Sequence, residues 1–147
     1  MIAYRRPVRF EDVDAARIVF FGRYMSYAHE ALEHFFAGLE GGYAALITQR
    51  GVGVPAVHLE ARYLAPLRYG DVACIEVSTL RLGNRSAALR YRFLREGDSV
   101  LAAELIHTVV TSDLQAMASC AMPDDVRATL AAHLEAPADP PVSPAAG

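Results

Sequence analysis

The sequence predicts an α+β domain in which one long central helix is wrapped by a curved antiparallel sheet of about five strands. Three observations predict it. A strongly apolar helical run extends from Phe21 to Leu39 and spreads its apolar residues over more than one face, the pattern of a helix that is covered. Turn signals at Tyr69-Gly70-Asp71, Gly83-Asn84 and Glu96-Gly97-Asp98 recur about every 13 residues, as in a train of hairpins. Between the last two, Ala87, Leu89, Tyr91 and Phe93 alternate with Ala88, Arg90, Arg92 and Leu94, giving one apolar face and one mostly basic, wet face.

In chain order, a short strand is expected from Ala3 to Phe10, followed by the helix, which Gly38, Gly41 and Gly42 end. A second helical piece is expected around Tyr43 to Gln49, before Gly51 and Gly53. Extended segments then begin at Pro55. The run from Ser99 to Ser112 is apolar on both faces apart from Glu104 and His107, which suits a central or interface strand. A last helix is expected from Pro123 to Leu134, with proline in its first turn and Asp124 and Asp125 against its dipole. The domain thus covers residues 1–135. Residues 136–147 are rich in Pro and Ala with almost no bulky apolar side chains, and are expected to be disordered.

The 147 residues, with 53% hydrophobic content, suit one compact domain. A net charge of −3, from 14 basic and 17 acidic residues, lacks the excess of a nucleic-acid binder. No secretory h-region follows the N-terminal arginines and no long uncharged apolar run occurs, so a soluble, cytoplasmic protein without membrane attachment is expected. Cys74 and Cys120 are too few for a disulfide scaffold or a structural zinc site, and reduced thiols are expected. His29-Glu30-Ala31-Leu32-Glu33-His34 does not make a zinc motif, because a five-residue spacing turns the two histidines about 140° apart on a helix. Glu30 and His34 are instead expected to form an (i, i+4) contact.

The chemistry concentrates in Phe10 to Tyr24, FEDVDAARIVFFGRY, where carboxylates crowd the approach to the apolar helix. From residue type alone, Asp12 and Asp14 are caps or solvated loop charges as readily as catalysts. This segment, with the later ARYLAPLRYGDV and LGNRS, resembles the hotdog-fold acyl-CoA thioesterases of the 4-hydroxybenzoyl-CoA thioesterase type, over roughly Tyr4 to Asp113. The resemblance implies an enzyme that hydrolyses an acyl-CoA thioester without a cofactor. It places the catalytic carboxylate on Asp14, as nucleophile or general base, and the oxyanion donor on the backbone N–H of Phe21. Asp12 falls to a supporting role, bonding backbone donors of the loop. Arg17 stands where the family usually has Gly; it either supports the Asp14 charge or is a solvated turn residue, and at positive φ it would be strained.

The acyl pocket is expected from Phe20, Tyr24, Val54 and Val57, with His29 either touching the acyl group or serving the core or an interface. Arg85 and Ser86, with Arg81 or Arg68, are expected to grip coenzyme A, since one or two arginines suffice for phosphate. A homodimer or homotetramer with sites at its interface is implied. Two competing readings are a hydratase, whose His-Phe-Pro or Asp-x-x-x-x-His signature is absent, and a non-catalytic acyl-CoA-binding module of the same fold.

Overall fold

The computed structural model describes residues 1–138. Strand β1 (Ile2–Pro7) leads through a short 3-10 turn (Phe10–Asp12) to helix α1 (Arg23–Phe35) and helix α2 (Gly42–Thr48). Strands β2 (Val52–Gly53), β3 (Ala56–Tyr63), β4 (Val72–Leu82), β5 (Ser86–Arg95), β6 (Leu101–Val110), β7 (Ser112–Asp113) and β8 (Ala118–Ser119) follow, and helix α3 (Asp124–Ala132) comes last. Five strands make one antiparallel sheet in the order β1-β4-β5-β6-β3; β2, β7 and β8 make a second, small one. This is the α+β hotdog architecture.

The alternation read from Ala87 to Leu94 sets the faces of β5: Ala87, Leu89, Tyr91 and Phe93 are buried, while the other face is drier than expected, with Ala88 buried and Arg90, Arg92 and Leu94 half-buried. Opposite them, α1 buries Tyr24, Tyr27, Ala28, Ala31, Leu32 and Phe35. The helix is not covered all round. Ser26, His29, Glu33 and His34 are exposed, so the sheet covers one face of α1 and leaves the other to solvent.

Several boundaries differ from the sequence expectation. The first strand stops at Pro7, which has no N–H to continue a ladder, and the chain turns at Phe10–Asp12 instead of extending to Phe10. Helix α1 begins at Arg23 and ends at Phe35, shorter at both ends than Phe21 to Leu39, because Phe20 to Gly22 form an irregular turn and the chain bends after Phe36. Gly41 has φ 73°, and a Cβ there would lie 2.6 Å from that of Ala45, so glycine is required at the start of α2. The last helix ends at Ala132, with Pro123 just outside it. The Gly83-Asn84 and Glu96-Gly97-Asp98 signals are hairpins, joining β4 to β5 and β5 to β6. Tyr69-Gly70-Asp71 is not. Strand β3 lies at one edge beside β6, so the chain must cross the domain to reach β4, and main-chain bonds from Val8 to Asp71 and from Val19 to Leu67 (both 2.8 Å) hold that crossing down.

Strand β6 lies between β5 and β3, inside the sheet, as its apolar faces suggested. Both cysteines are free. Among the described residues no helix is long and apolar enough to cross a membrane. Of the tail expected to be disordered, residues 139–147 lie outside the described residues.

Phe93 is fully buried and meets Tyr24 edge-on with centroids 5.3 Å apart, joining the central strand to the first turn of α1. Phe93→Ala is expected to cost about 3 to 5 kcal/mol, as measured by urea denaturation.

Candidate active site

The segment between β1 and α1 folds back on itself as a tight loop. Val13 bridges Val19, the Asp14 N–H donates to the Ile18 carbonyl at 3.0 Å, and the Arg17 N–H donates to the Asp14 carbonyl at 2.9 Å. The Ala16 N–H donates to Asp14 Oδ1 at 2.8 Å, so one carboxylate oxygen steadies the loop while Oδ2 has no hydrogen-bond partner among the described residues. Arg17 has φ 64°, so the loop keeps the left-handed conformation that glycine adopts freely and the arginine bears it. Its side chain makes no ion pair within 4 Å among the described residues, with Asp14 or any other acid. Its contribution to the loop is its backbone N–H.

Beneath this loop lies a buried ionic cluster. Asp12, 1% exposed, accepts three hydrogen bonds on Oδ2: from the Tyr27 hydroxyl at 2.6 Å, the Arg9 N–H at 2.8 Å and Arg6 Nη1 at 2.9 Å. Arg6 also donates from Nε to Glu30 at 3.0 Å, stands 4.5 Å above the Tyr27 ring, and is itself buried. Glu30 accepts in addition from the Tyr4 hydroxyl at 3.0 Å. Burial opposes the charge on Asp12, but the Tyr27, Arg9 and Arg6 donors outweigh it and hold the carboxyl below its ordinary value. The same burial, with Asp12 beside it, pushes the Tyr27 phenol far up. Asp12 thus ties β1, the 3-10 turn and α1 to one oxygen. Its own carbonyl accepts the Phe20 N–H at 2.9 Å, which anchors the far side of the loop.

Above the loop opens a cleft of about 600 Å³. Asp14, Phe21 and Tyr24 line it from the loop and helix, Tyr63 from the end of β3, and Pro66 and Arg68 from the crossing that follows. The Phe21 N–H, just ahead of α1, has no backbone acceptor among the described residues. Together with the positive end of the helix dipole it offers a place for negative charge beside a carboxylate. Tyr24 is buried against Tyr63, ring centroids 5.1 Å apart and nearly perpendicular; burial and then the neighbouring Tyr63 phenol push its own up to about 12.

Of the residues singled out from sequence, the structure brings Asp14, Phe21, Tyr24 and Arg68 to this cleft, with Asp12 and Arg17 in the loop behind it. The others lie elsewhere in the protomer. Phe20 is 45% exposed and packs on Phe21. Val54 lines a groove between α2 and β7, and Val57 is exposed on β3. His29 lines a small cavity of about 150 Å³ between α1 and the sheet, together with Leu59, Tyr91 and His107. The contact expected between Glu30 and His34 is replaced: His29 pairs with Glu33 at 3.0 Å, Glu30 turns inward to Arg6, and His34 rests against Tyr4. Arg81 is exposed on β4, Arg85 lies in the turn just before β5 and donates to Ser119, and Ser86 opens the strand. Tyr63 escaped the sequence reading. Its only signal is a tyrosine closing an extended run just before Leu64-Ala65-Pro66, where a polar tip is placed at the end of a strand.

Residues 8–130 match the model of the thioesterase-like superfamily. The chain belongs to that superfamily. A 1,4-dihydroxy-2-naphthoyl-CoA hydrolase from Synechococcus elongatus is 34% identical over 110 residues, covering 74% of this chain and 81% of the relative. Among solved structures, a gentisyl-coenzyme A thioesterase is 30% identical with a TM-score of 0.76, covering 88% of this chain and 99% of its own. A thioesterase-superfamily protein from Jannaschia sp. is 26% identical with a TM-score of 0.84, covering 92% and 94%. The superfamily member described here is accordingly a hydrolase of the thioesterase class, as the resemblance implied.

Because the folded carboxyl of Asp12 lies below its unfolded value, its stabilisation is full above the ordinary carboxylate range and is lost as the pH falls through the folded value. Asp12→Ala leaves buried Arg6 with only Glu30 as an acidic partner among the described residues, strips the Tyr27 hydroxyl and the Arg9 N–H of their acceptor, and is expected to cost about 3 to 5 kcal/mol at neutral pH. In urea denaturation series at several pH values, the gap between wild type and variant should shrink on acidification.

Proposed function

We propose that the chain hydrolyses an acyl-CoA thioester to the free acid and coenzyme A, with Asp14 as the reactive carboxylate and the Phe21 backbone N–H as the oxyanion donor. The observation that carries this reading is the cleft that Asp14 and Phe21 share, where a carboxylate oxygen and a main-chain N–H are both without a protein partner among the described residues. As the thioester carbonyl becomes tetrahedral, negative charge grows on its oxygen. A fixed N–H at the head of a helix stabilises that charge with no reorganisation, and one such donor is worth about 2.7 to 4 kcal/mol of barrier elsewhere. Asp14 Oδ2 then serves in one of two ways. It attacks the carbonyl carbon, expels the thiolate of coenzyme A and forms a mixed anhydride that water cleaves, or it takes a proton from the water that attacks. Neither route uses a cofactor.

Tyr24 and Tyr63 give the cleft an aromatic wall, and the relatives are named for 1,4-dihydroxy-2-naphthoyl and gentisyl thioesters. We infer that the acyl group is aromatic. Arg68 at the cleft supplies a cation for a phosphate of coenzyme A, and Arg81, Arg85 and Ser86 reach the nucleotide only in an assembly that brings another copy's β4–β5 hairpin near. Strand β3 supports such an assembly. It is exposed along its whole length, pairs among the described residues only with β6, and leaves Val57 60% and Leu59 44% exposed, an edge that a second copy would cover. His29 and Val57 would then belong to an interface.

Release of free thiol from benzoyl-, gentisyl-, 1,4-dihydroxy-2-naphthoyl- and hexanoyl-CoA tests the reading. An aromatic thioester is expected to be turned over fastest, and Asp14→Asn to lower its kcat about a hundredfold or more. Near wild-type hydrolysis by that variant would refute the mechanism, and tight binding of every thioester with no thiol released would favour a carrier module. Sedimentation velocity is expected to give a dimer or tetramer; a monomer at micromolar concentration would contradict the proposed assembly.

A further inference from the structure

Both main-chain polar atoms of Phe21 stand outside the hydrogen-bond ladder of α1. In a regular helix its carbonyl would receive the N–H of Met25, four residues on. That N–H goes to the Gly22 carbonyl instead, at 3.2 Å, and no other backbone N–H among the described residues reaches the Phe21 oxygen. The group that does is the Tyr63 hydroxyl, which donates to it at 2.9 Å from the last residue of β3, across the cleft.

We propose that Tyr63 is a positioning residue for the reaction: its hydroxyl, bonded to the Phe21 carbonyl, holds the turn ahead of α1 so that the Phe21 N–H keeps its aim at the thioester oxygen. This rests on the preceding reading, in which that N–H is the oxyanion donor. The peptide carrying the N–H is already held at its other end, because the Phe20 carbonyl accepts the Arg23 N–H at 2.9 Å. Tyr63 holds the next peptide. With both peptides tethered, the torsions of Phe21 between them are set. Without the second tether, the slack falls on Phe21 ψ and on Gly22, the residue with the widest conformational freedom.

Tyr63 suits this role better than that of an acid. Its single proton is engaged by the Phe21 carbonyl, and burial pushes its phenol up, so it stays a protonated donor near neutral pH. Its ring is fixed edge-on against Tyr24. The residue is 45% exposed, so without the hydroxyl solvent can reach the Phe21 carbonyl, and the fold loses little. Position and stability are therefore separable by experiment.

Tyr63→Phe in the full chain removes the hydroxyl and keeps the ring. With the aromatic CoA thioester that the wild type hydrolyses fastest, kcat is expected to fall by about ten- to a hundredfold, while KM stays within about twofold and the melting temperature within a few degrees. A second readout uses the ketone analogue of that thioester, with methylene in place of sulfur. Its bound carbonyl stretch is expected to shift to lower frequency in the wild type and less so in Tyr63→Phe. Unchanged kcat and carbonyl shift in Tyr63→Phe would overturn the proposal, as would a rise in KM alone, which would make Tyr63 a substrate contact. Asp14→Asn separates the two levels: if it is inactive while Tyr63→Phe is normal, only the positioning role falls, whereas an active Asp14→Asn removes the reading on which it rests.

Discussion

The organisation of this protein around its cleft depends on one buried carboxylate. Asp12 gathers a strand arginine, a turn N–H and a helix phenol onto a single oxygen, and its carbonyl holds the Phe20 N–H from the other side. An unpaired charge at 1% exposure would be prohibitive, so the ion pair with Arg6 and the Tyr27 bond must form together or not at all. That requirement makes the junction of β1, loop and α1 a single cooperative unit. The loop that carries Asp14 is rigid because of what lies under it.

The two aspartates of the motif divide the work by environment. Asp12 is saturated with donors on one oxygen and serves structure, while Asp14, two residues on, is solvent-exposed and keeps one oxygen unpartnered among the described residues. The reactive role proposed for Asp14 needs that freedom, and it also needs a fixed origin, which the Ala16 N–H and the main-chain bonds across the loop supply. The strained Arg17 belongs to the same economy. Its left-handed backbone costs about 1 kcal/mol or more, offset by the loop bonds that its conformation allows. The irregular turn at Phe20 to Gly22 continues the theme: α1 begins late, which leaves the Phe21 N–H and carbonyl out of the helix ladder.

Much of this was legible in the sequence, and what was not has identifiable causes. Alternation along β5 gave the sheet its faces correctly, since period two leaves no ambiguity about which residues share a side. The apolar run after Phe21 signalled a helix but not its limits, because aromatic residues also pack well in the turns flanking it, as Phe20, Phe21 and Phe36 do. Tyr69-Gly70-Asp71 reads as a hairpin turn locally, and only the pairing of β3 with β6 reveals a crossing. The motif carried Asp14, Phe21 and Tyr24 to one cleft. Tyr63 was hidden, since its role is a contact to a main-chain oxygen 42 residues away, for which no local pattern exists. His29, Val54 and Val57 depend on which way a helix or edge strand faces, and within one protomer they face other cavities or solvent.

In the mechanism proposed, one loop, locked from below by Asp12, presents Asp14 and the Phe21 N–H to the same thioester carbonyl. A crystal structure of the protein with the ketone analogue of its best aromatic CoA thioester measures this most directly. The ketone oxygen is expected within about 2.7 to 3.1 Å of the Phe21 nitrogen, with Asp14 Oδ2 or a water bonded to it facing the carbonyl carbon. A fully occupied analogue whose carbonyl lies beyond hydrogen-bond reach of Phe21, or away from Asp14, would contradict it.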